Sequence, residues 1–425
     1  MNAAQFSVQQ QQINPYSDIY EQFAVDAAFL WLLRSIAVNQ PHYKRDDMAA
    51  LDQRIDAQLN GLMTAPDDSW RICREAMELQ EPGEVFAGAV LAFRSLDVRK
   101  IQDAVEIGLA NKVGVEGLIS AMGWLPGRLC HSWIKKFLTS KELDHKYLAI
   151  AACSVRRENP EDYLTNLLQR EDCRAHLKLY ARSLRLVGEL KRHDLMPALR
   201  AAVQADEPSI RFWANWSAVL LGDSSAINRL HPFVLTSGPY QSAAIELVFR
   251  ALPVEQGRAW IDALAKQPGQ IRQVIKATSA LGDPHAVNWL LAQMRVPALT
   301  RLAGEAFSTI TGIDLEQNSL ALDDLPDLDE QFPNDDPNDD NVAMDEDDRL
   351  PFPDVAKVAA VWQKYQHRLQ PGQRYLLGKT ISAEALNDTL RTGYQRQRRA
   401  AALELALSTP DQFLINHAAK SGSDG

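Results

Sequence analysis

The chain is poor in the features that mark most catalytic or membrane proteins. It has four cysteines in 425 residues, Cys73, Cys130, Cys153 and Cys173, with no CxxC pair among them. Each sits in an apolar, helix-like context, so we read them as reduced, buried thiols rather than a disulfide framework or a metal site. No run of apolar residues approaches the roughly 18 needed to span a bilayer; the longest candidate, AVDAAFLWLL, is too short. The N-terminal stretch MNAAQFSVQQQQINPYSDIY has no basic region, apolar stretch or cleavage site of a secretory signal, which leads us to expect a cytoplasmic protein without membrane contact. GxSxG, HExxH, GxGxxG and P-loop patterns are all missing. Cys130 and His131 are adjacent, but neighbours on a helix point about 100° apart and cannot form a nucleophile–base pair. We therefore expect no enzyme, no cofactor and no metal.

Positive charge is absent from one long stretch. No Lys or Arg falls between Arg301 and Arg349, and residues 323–348 hold 13 acidic side chains. Without those, the net charge of −10 becomes +3 for the remaining chain (−10 with 13 negative charges removed). A near-neutral body with one acidic belt argues against a broad nucleic-acid surface. The belt has no glycine where a calcium-binding loop needs its sharp turn. Its Asp, Asn and Pro content leaves little to bury, so residues 316–350 read as a disordered loop.

Apolar residues make up 46% of the chain and recur at helical spacing. Tyr20, Phe23, Ala27, Leu30 and Ala37 form one stripe, which Phe29, Leu32, Leu33 and Ile36 widen. Met48, Leu51, Ile55, Leu59 and Leu62 form another. Together they suggest a helical hairpin capping the N-terminus over 19–80, after a disordered segment 1–18.

Downstream, one unit recurs. ALGDPHAVNWLLAQM breaks a helix at Gly282, offers Asp283 as a cap and starts the next helix with a proline. Gly222 with Asp223, the Leu252-Pro253 break, and Gly312 share that register, about 30 residues apart, and Gly188 and Gly123 continue it upstream at similar intervals. A period of that length with two short helices is the pattern of HEAT-like repeats, and stacked copies bury what one pair leaves exposed. We expect an all-α HEAT-like solenoid over 81–315, a C-terminal helical segment over 351–415 packed on the last repeats, and a fraying tail, 416–425.

A solenoid face is suited to binding proteins. Arg211, Trp213 and Trp216 crowd one helix and are our candidate partner contacts, because aromatic and arginine side chains anchor interfaces. Trp124, Trp133, Trp260, Trp289 and Trp362 read as core. Arg391, Arg396, Arg398 and Arg399 lie on the last helix without interleaved aromatics, which favours pairing with carboxylates of the belt or the last repeat over nucleic-acid contact.

Three stretches together carry a resemblance: AAFLWLLRSIAVNQPHYKRDDMAALDQRIDAQLNGL, RLAGEAFSTITGIDL, and LPFPDVAKVAAVWQKYQHRLQPGQRYLLGKTI leading to RQRRAAALELAL. They resemble a proteobacterial family with HEAT-like repeats whose members are often encoded beside type VI secretion genes. The similarity covers both ends and the last repeat; the middle matches in pattern alone. It implies no catalytic residues. It implies a cytoplasmic scaffold or co-chaperone whose protein partner is a secretion effector or its adaptor. Two other functions remain open from the residues: a lyase-like HEAT-repeat enzyme acting on bilins, and a nucleic-acid-binding helical-repeat protein.

Overall fold

The computed structural model describes residues 16–322 and 345–422. These hold 22 α-helices and one two-stranded hairpin, an all-α helical-repeat, solenoid-like fold. The described residues divide into two compact units: residues 16–36, 48–139 and 420–422, and residues 37–47, 140–322 and 345–419.

The first unit contains α1 (Ser17–Ala37), α2 (Arg45–Leu62), α3 (Pro66–Met77), α4 (Pro82–Ser95), α5 (Val98–Leu109), α6 (Gly114–Trp124) and α7 (Gly127–Thr139), the first two with an end in the other unit. The N-terminal region thus holds three helices where a hairpin was expected. Helix α4 is its centre. Every residue from Val85 to Phe93 is buried, because α3, α5, α6 and α7 surround it. Phe86 stacks on Trp31 at 5.7 Å and meets Trp124 edge-on at 5.4 Å. The carboxylate of Asp56 accepts from Trp124 Nε1 at 3.0 Å and faces Arg94 and, at 2.6 Å, Lys420. On α1 the expected stripe is narrower than the sequence suggested: Ala24, Ala27, Leu30 and Ala37 are buried, whereas Phe29 and Leu32 are exposed. An apolar helix face wider than its neighbour can cover leaves its margins in solvent.

The second unit contains α8 (Leu143–Arg156), α9 (Asp162–Gln169), α10 (Glu171–Ala175), α11 (Leu177–Glu189), α12 (Met196–Ala202), α13 (Pro208–Leu220), α14 (Ser225–Leu235), α15 (Gln241–Ala251), α16 (Val254–Ala265), α17 (Ile271–Leu281), α18 (Val287–Gln293) and α19 (Thr300–Thr311). Beyond the acidic belt follow α20 (Val355–Tyr365), strands β1 (Tyr375–Leu376) and β2 (Lys379–Thr380), α21 (Ala383–Thr392) and α22 (Gln395–Ser408). Helices α8, α11, α13, α15, α17 and α19 form a row, each packed on the next, with the alternate helices on their flank. Helix α20 completes the last pair: Val358 and Trp362 are buried with Phe307 of α19, whose ring lies 6.3 Å from Trp362.

The glycines of the repeat register divide into two kinds. Gly222, Gly282 and Gly312 have φ of +91°, +72° and +72° at the ends of α13, α17 and α19, where a side chain would be strained. Gly188 and Gly123 are not turn residues. Gly188 lies within α11, where a Cβ would sit 2.5 Å from the Ser217 hydroxyl, so it lets α11 and α13 approach closely. Gly123 lies inside α6. The turn after α11 falls at Lys191, and the turn after α8 at Arg157, both non-glycine residues with positive φ, +56° and +55°.

Part of the acidic belt, residues 323–344, lies outside the described residues. Its ends do not behave as a disordered loop: Ala321 bridges Pro353, and Asp345–Leu350 lie against the array. The C-terminal tail does not fray over its described part either, because Asn416 Nδ2 donates to Val155 O at 2.7 Å. All four cysteines are free and buried, and burial pushes the Cys73 thiol up to about 12.

Candidate protein-binding face

The last carbonyls of every α-helix lack partners within the helix. Six helices ending side by side therefore present a ladder of acceptors. In the second unit this ladder is filled by the chain itself. Residues 374–378 cross the ends of α15, α17 and α19 in that order, and residues 406–416 then run back past α13 and α11 to α8.

Leu377 N and Gly378 N donate to Thr309 O and Ile310 O at the end of α19, at 2.7 and 3.1 Å. Tyr375 N donates to Gly282 O at 2.8 Å, and Arg374 Nε to Leu281 O at 3.1 Å, at the end of α17. Arg374 Nη1 reaches Arg250 O of α15 at 2.5 Å. Lys191 Nζ joins Leu220 O, ending α13, to Ala406 O of α22. Leu414 N donates to Glu189 O of α11 at 2.8 Å, and Arg157 Nε to Leu414 O at 2.5 Å. Asn416 closes the series on α8.

Asp283 shows how one repeat turn serves several elements. Its buried carboxylate accepts from His285 N, which caps the following turn, from Gly372 N at 3.0 Å, and from Arg258 of α16 at 2.6 Å. Asp223 caps α14 through Ser225 N at 3.0 Å and pairs with Arg229 at 3.4 Å.

Two buried carboxylates anchor the ends of this segment. Glu404 of α22 pairs with Arg374 and lies 3.8 Å from Arg250. Burial raises its pKa above the usual carboxylate range, against the pull of both arginines. Glu189 accepts from Arg185 at 2.8 Å, Arg157 at 3.2 Å and the Ser154 hydroxyl. Burial opposes its ionisation, but Arg157, Arg185 and Arg182 outweigh it and hold the carboxyl at about 2. Burial pushes Lys191 down to about 8, so it remains largely protonated at neutral pH. Burial and the nearby Arg399, Arg398 and Arg157 push His417 down to about 3, so it is neutral.

The basic residues of the last helices are spent within the fold. Arg396 pairs with Glu305 of α19 at 2.7 Å and donates to Glu346 O of the belt. Arg399 pairs with Glu246 of α15 at 2.9 Å. Arg398 donates to Leu390 O, and Arg391 pairs with Asp388.

The sequence-based partner contacts are placed differently from the expectation. Trp216 is 5% exposed and packs against Trp213 at 5.3 Å, so it fills the core and offers no surface. Trp213 is half-buried under the Arg185 guanidinium, 4.5 Å from its ring. Arg211 donates to Ala205 O and Asp206 O and lies over Phe233. Aromatic crowding on α13 thus serves packing. Sequence reading missed Arg157, Lys191, Arg374 and Glu404. Their partners lie far along the chain, and only the GQRYLLGKT turn marked a compact element there.

Among the described residues, no group of His, Cys, Asp and Glu side chains could hold a metal ion, and no helix is long and apolar enough to cross a membrane. No family model matches the chain, and no curated protein matches it. The crystal structure of an engineered protein is similar to 68% of this chain and 93% of its own, at 14% identity and a TM-score of 0.29, a likeness too low to bear on the fold.

Proposed function

We propose that this protein is a non-catalytic protein-binding scaffold, a cytoplasmic accessory or co-chaperone that holds a type VI secretion effector or its adaptor for loading. One observation supports the scaffold: the array already holds a distant part of its own chain, through main-chain bonds from the short strand segment 375–378 at α17 and α19 and side-chain bonds along the row. Main-chain recognition of this kind tolerates varied sequences, as strand addition does in peptide-binding domains. The secretion partner is drawn from the resemblance of both ends and the last repeat to a family encoded beside those genes. Crosslinked purification of the tagged protein from its native host, in cells making the secretion machinery, tests it. Enrichment of an effector, adaptor or spike protein supports the reading; recovery of none of these removes it.

A further inference from the structure

Helices α17 and α19 place three cations together: Arg272, Lys276 and Arg301. On them lies the acidic tripeptide Asp345-Glu346-Asp347. Each acid has its own partner. Asp347 takes a two-pronged pair from Arg272, both bonds at 2.8 Å. Glu346 meets Lys276 at 2.6 Å, with Arg272 3.7 Å away. Asp345 pairs with Arg301, whose second nitrogen donates to Asp347 O at 2.9 Å. Arg396 adds a fourth cation against Glu346 O and pairs with Glu305.

We propose that Arg272, Lys276 and Arg301 form a docking site for an acidic peptide of a partner protein, and that Asp345-Glu346-Asp347 occupies it as an internal stand-in. The inference rests on the scaffold reading and names the partner's chemistry. Three features carry it. The cations read a continuous tripeptide, backbone carbonyl included, rather than scattered carboxylates. Without the tripeptide, Arg272, Lys276 and Arg301 would lose the carboxylates paired with them, leaving like charges together that favour an anion. The Glu346 side chain is 61% exposed and those of Arg272 and Lys276 are 34% and 27% exposed, so exchange can start at that open edge, whereas Asp347 and Arg301, 5% and 12% exposed, must be uncovered to complete it. Downstream, Leu350 and Phe352 are buried, which tethers the stand-in beside its site. A tether raises the effective concentration of the internal ligand, so a free peptide binds the wild-type chain poorly until the stand-in is removed.

The test uses the full chain and a fluorescent peptide, Asp-Glu-Asp-Asp-Arg-Leu, followed by anisotropy at low salt. The D345N/E346Q/D347N variant is expected to bind it at least tenfold more tightly than the wild type. Adding R272Q to that variant is expected to abolish binding, as is high salt. The proposal is overturned if a variant that melts like the wild type binds no more tightly than it, or if R272Q makes no difference. Should the triple variant lose its cooperative melt, the wild-type chain decides: free peptide at about 5 mM, near the effective concentration of a tethered ligand, must speed hydrogen exchange at the Asp347 and Leu350 amides. Unchanged exchange overturns the proposal. A failed titration leaves the scaffold itself standing, because that stands or falls with the purification.

Discussion

Two kinds of repeat turn stand in one row of helices. At Gly222, Gly282 and Gly312 the left-handed position is taken by glycine. At Arg157 and Lys191 it is taken by a long cationic side chain, which accepts a backbone cost of about 1 kcal/mol. The difference follows from what lies above each turn. A Cβ on Gly282 would stand 2.4 Å from Tyr375 O, and one on Gly312 2.3 Å from Leu377 O, so the C-terminal segment leaves no room there. At Arg157 and Lys191 the residue of the turn itself reaches the segment, its cation donating to Leu414 O or Ala406 O. Gly222 has open space above it, with nothing within 4 Å of its added Cβ. The same local conformation is thus used for close contact, for bridging, or for the turn alone.

The largest way to break this comparison is to remove the carboxylate that holds Arg374 against the end of α17. Glu404→Ala leaves the guanidinium groups of Arg374 and Arg250 partly buried without their carboxylate, and we expect a loss of about 3–5 kcal/mol in urea unfolding. Gly282→Ala comes next. It meets both the backbone cost and the Tyr375 carbonyl, and should lose about 2–3 kcal/mol, with faster hydrogen exchange at Tyr375. Gly222→Ala should lose only about 1 kcal/mol. Equal losses at the two glycines would show that the covering chain does not distinguish them.

Lys191→Gly sharpens the contrast. It relieves about 1 kcal/mol of backbone strain but deletes two buried hydrogen bonds worth about 1–3 kcal/mol together. We expect a modest net loss by thermal melting; a gain would mean that the bridge contributes nothing. The smallest expected effect is on acid sensitivity. His417 is held neutral, from an ordinary value of 6.5 down to about 3, so its contribution is full above pH 6.5 and is lost as pH falls towards 3. Glu189, at about 2, contributes fully above its usual 4.5 and loses its contribution below that. His417→Gln should therefore flatten the fall in melting temperature between pH 7 and 5 and leave the fall below pH 4.5 in place.

Much of the helical array was legible because helix termination is local. The order Gly-Asp-Pro at 282–284 states an end, a cap and a start within three residues, and the fold uses all three. Gly188 misled because its neighbours in LVGEL continue the helix; no cap or proline follows it. Lys191 could not have been read as a turn, since a lysine in the left-handed region is decided by distant bonds. The candidate face was largely illegible for the same reason. Periodicity marked α22 as a helix with a basic start, and pairing of its arginines with the belt and the last repeat was expected, as Arg396 shows. Nothing local placed Arg399 beside Glu246, or Asn416 beside Val155. Trp216 looked like an interface anchor because crowding of aromatics on one helix cannot by itself distinguish a surface from a core.

The backward course of the C-terminal segment has a consequence for folding. A row of stacked hairpins is held by nearest neighbours, so its ends can melt separately and its folding can begin anywhere. Here bonds separated by 215 and 261 residues, Lys191 to Ala406 and Asn416 to Val155, tie residues far along the chain to the first helices of the unit. Such closures are slow to form because long loops must be ordered before the contacts reward them. Once formed, they couple hairpins that do not touch. The second unit should therefore behave less like a zipper that opens from either end than like a bound book, in which no page comes loose until the spine gives way.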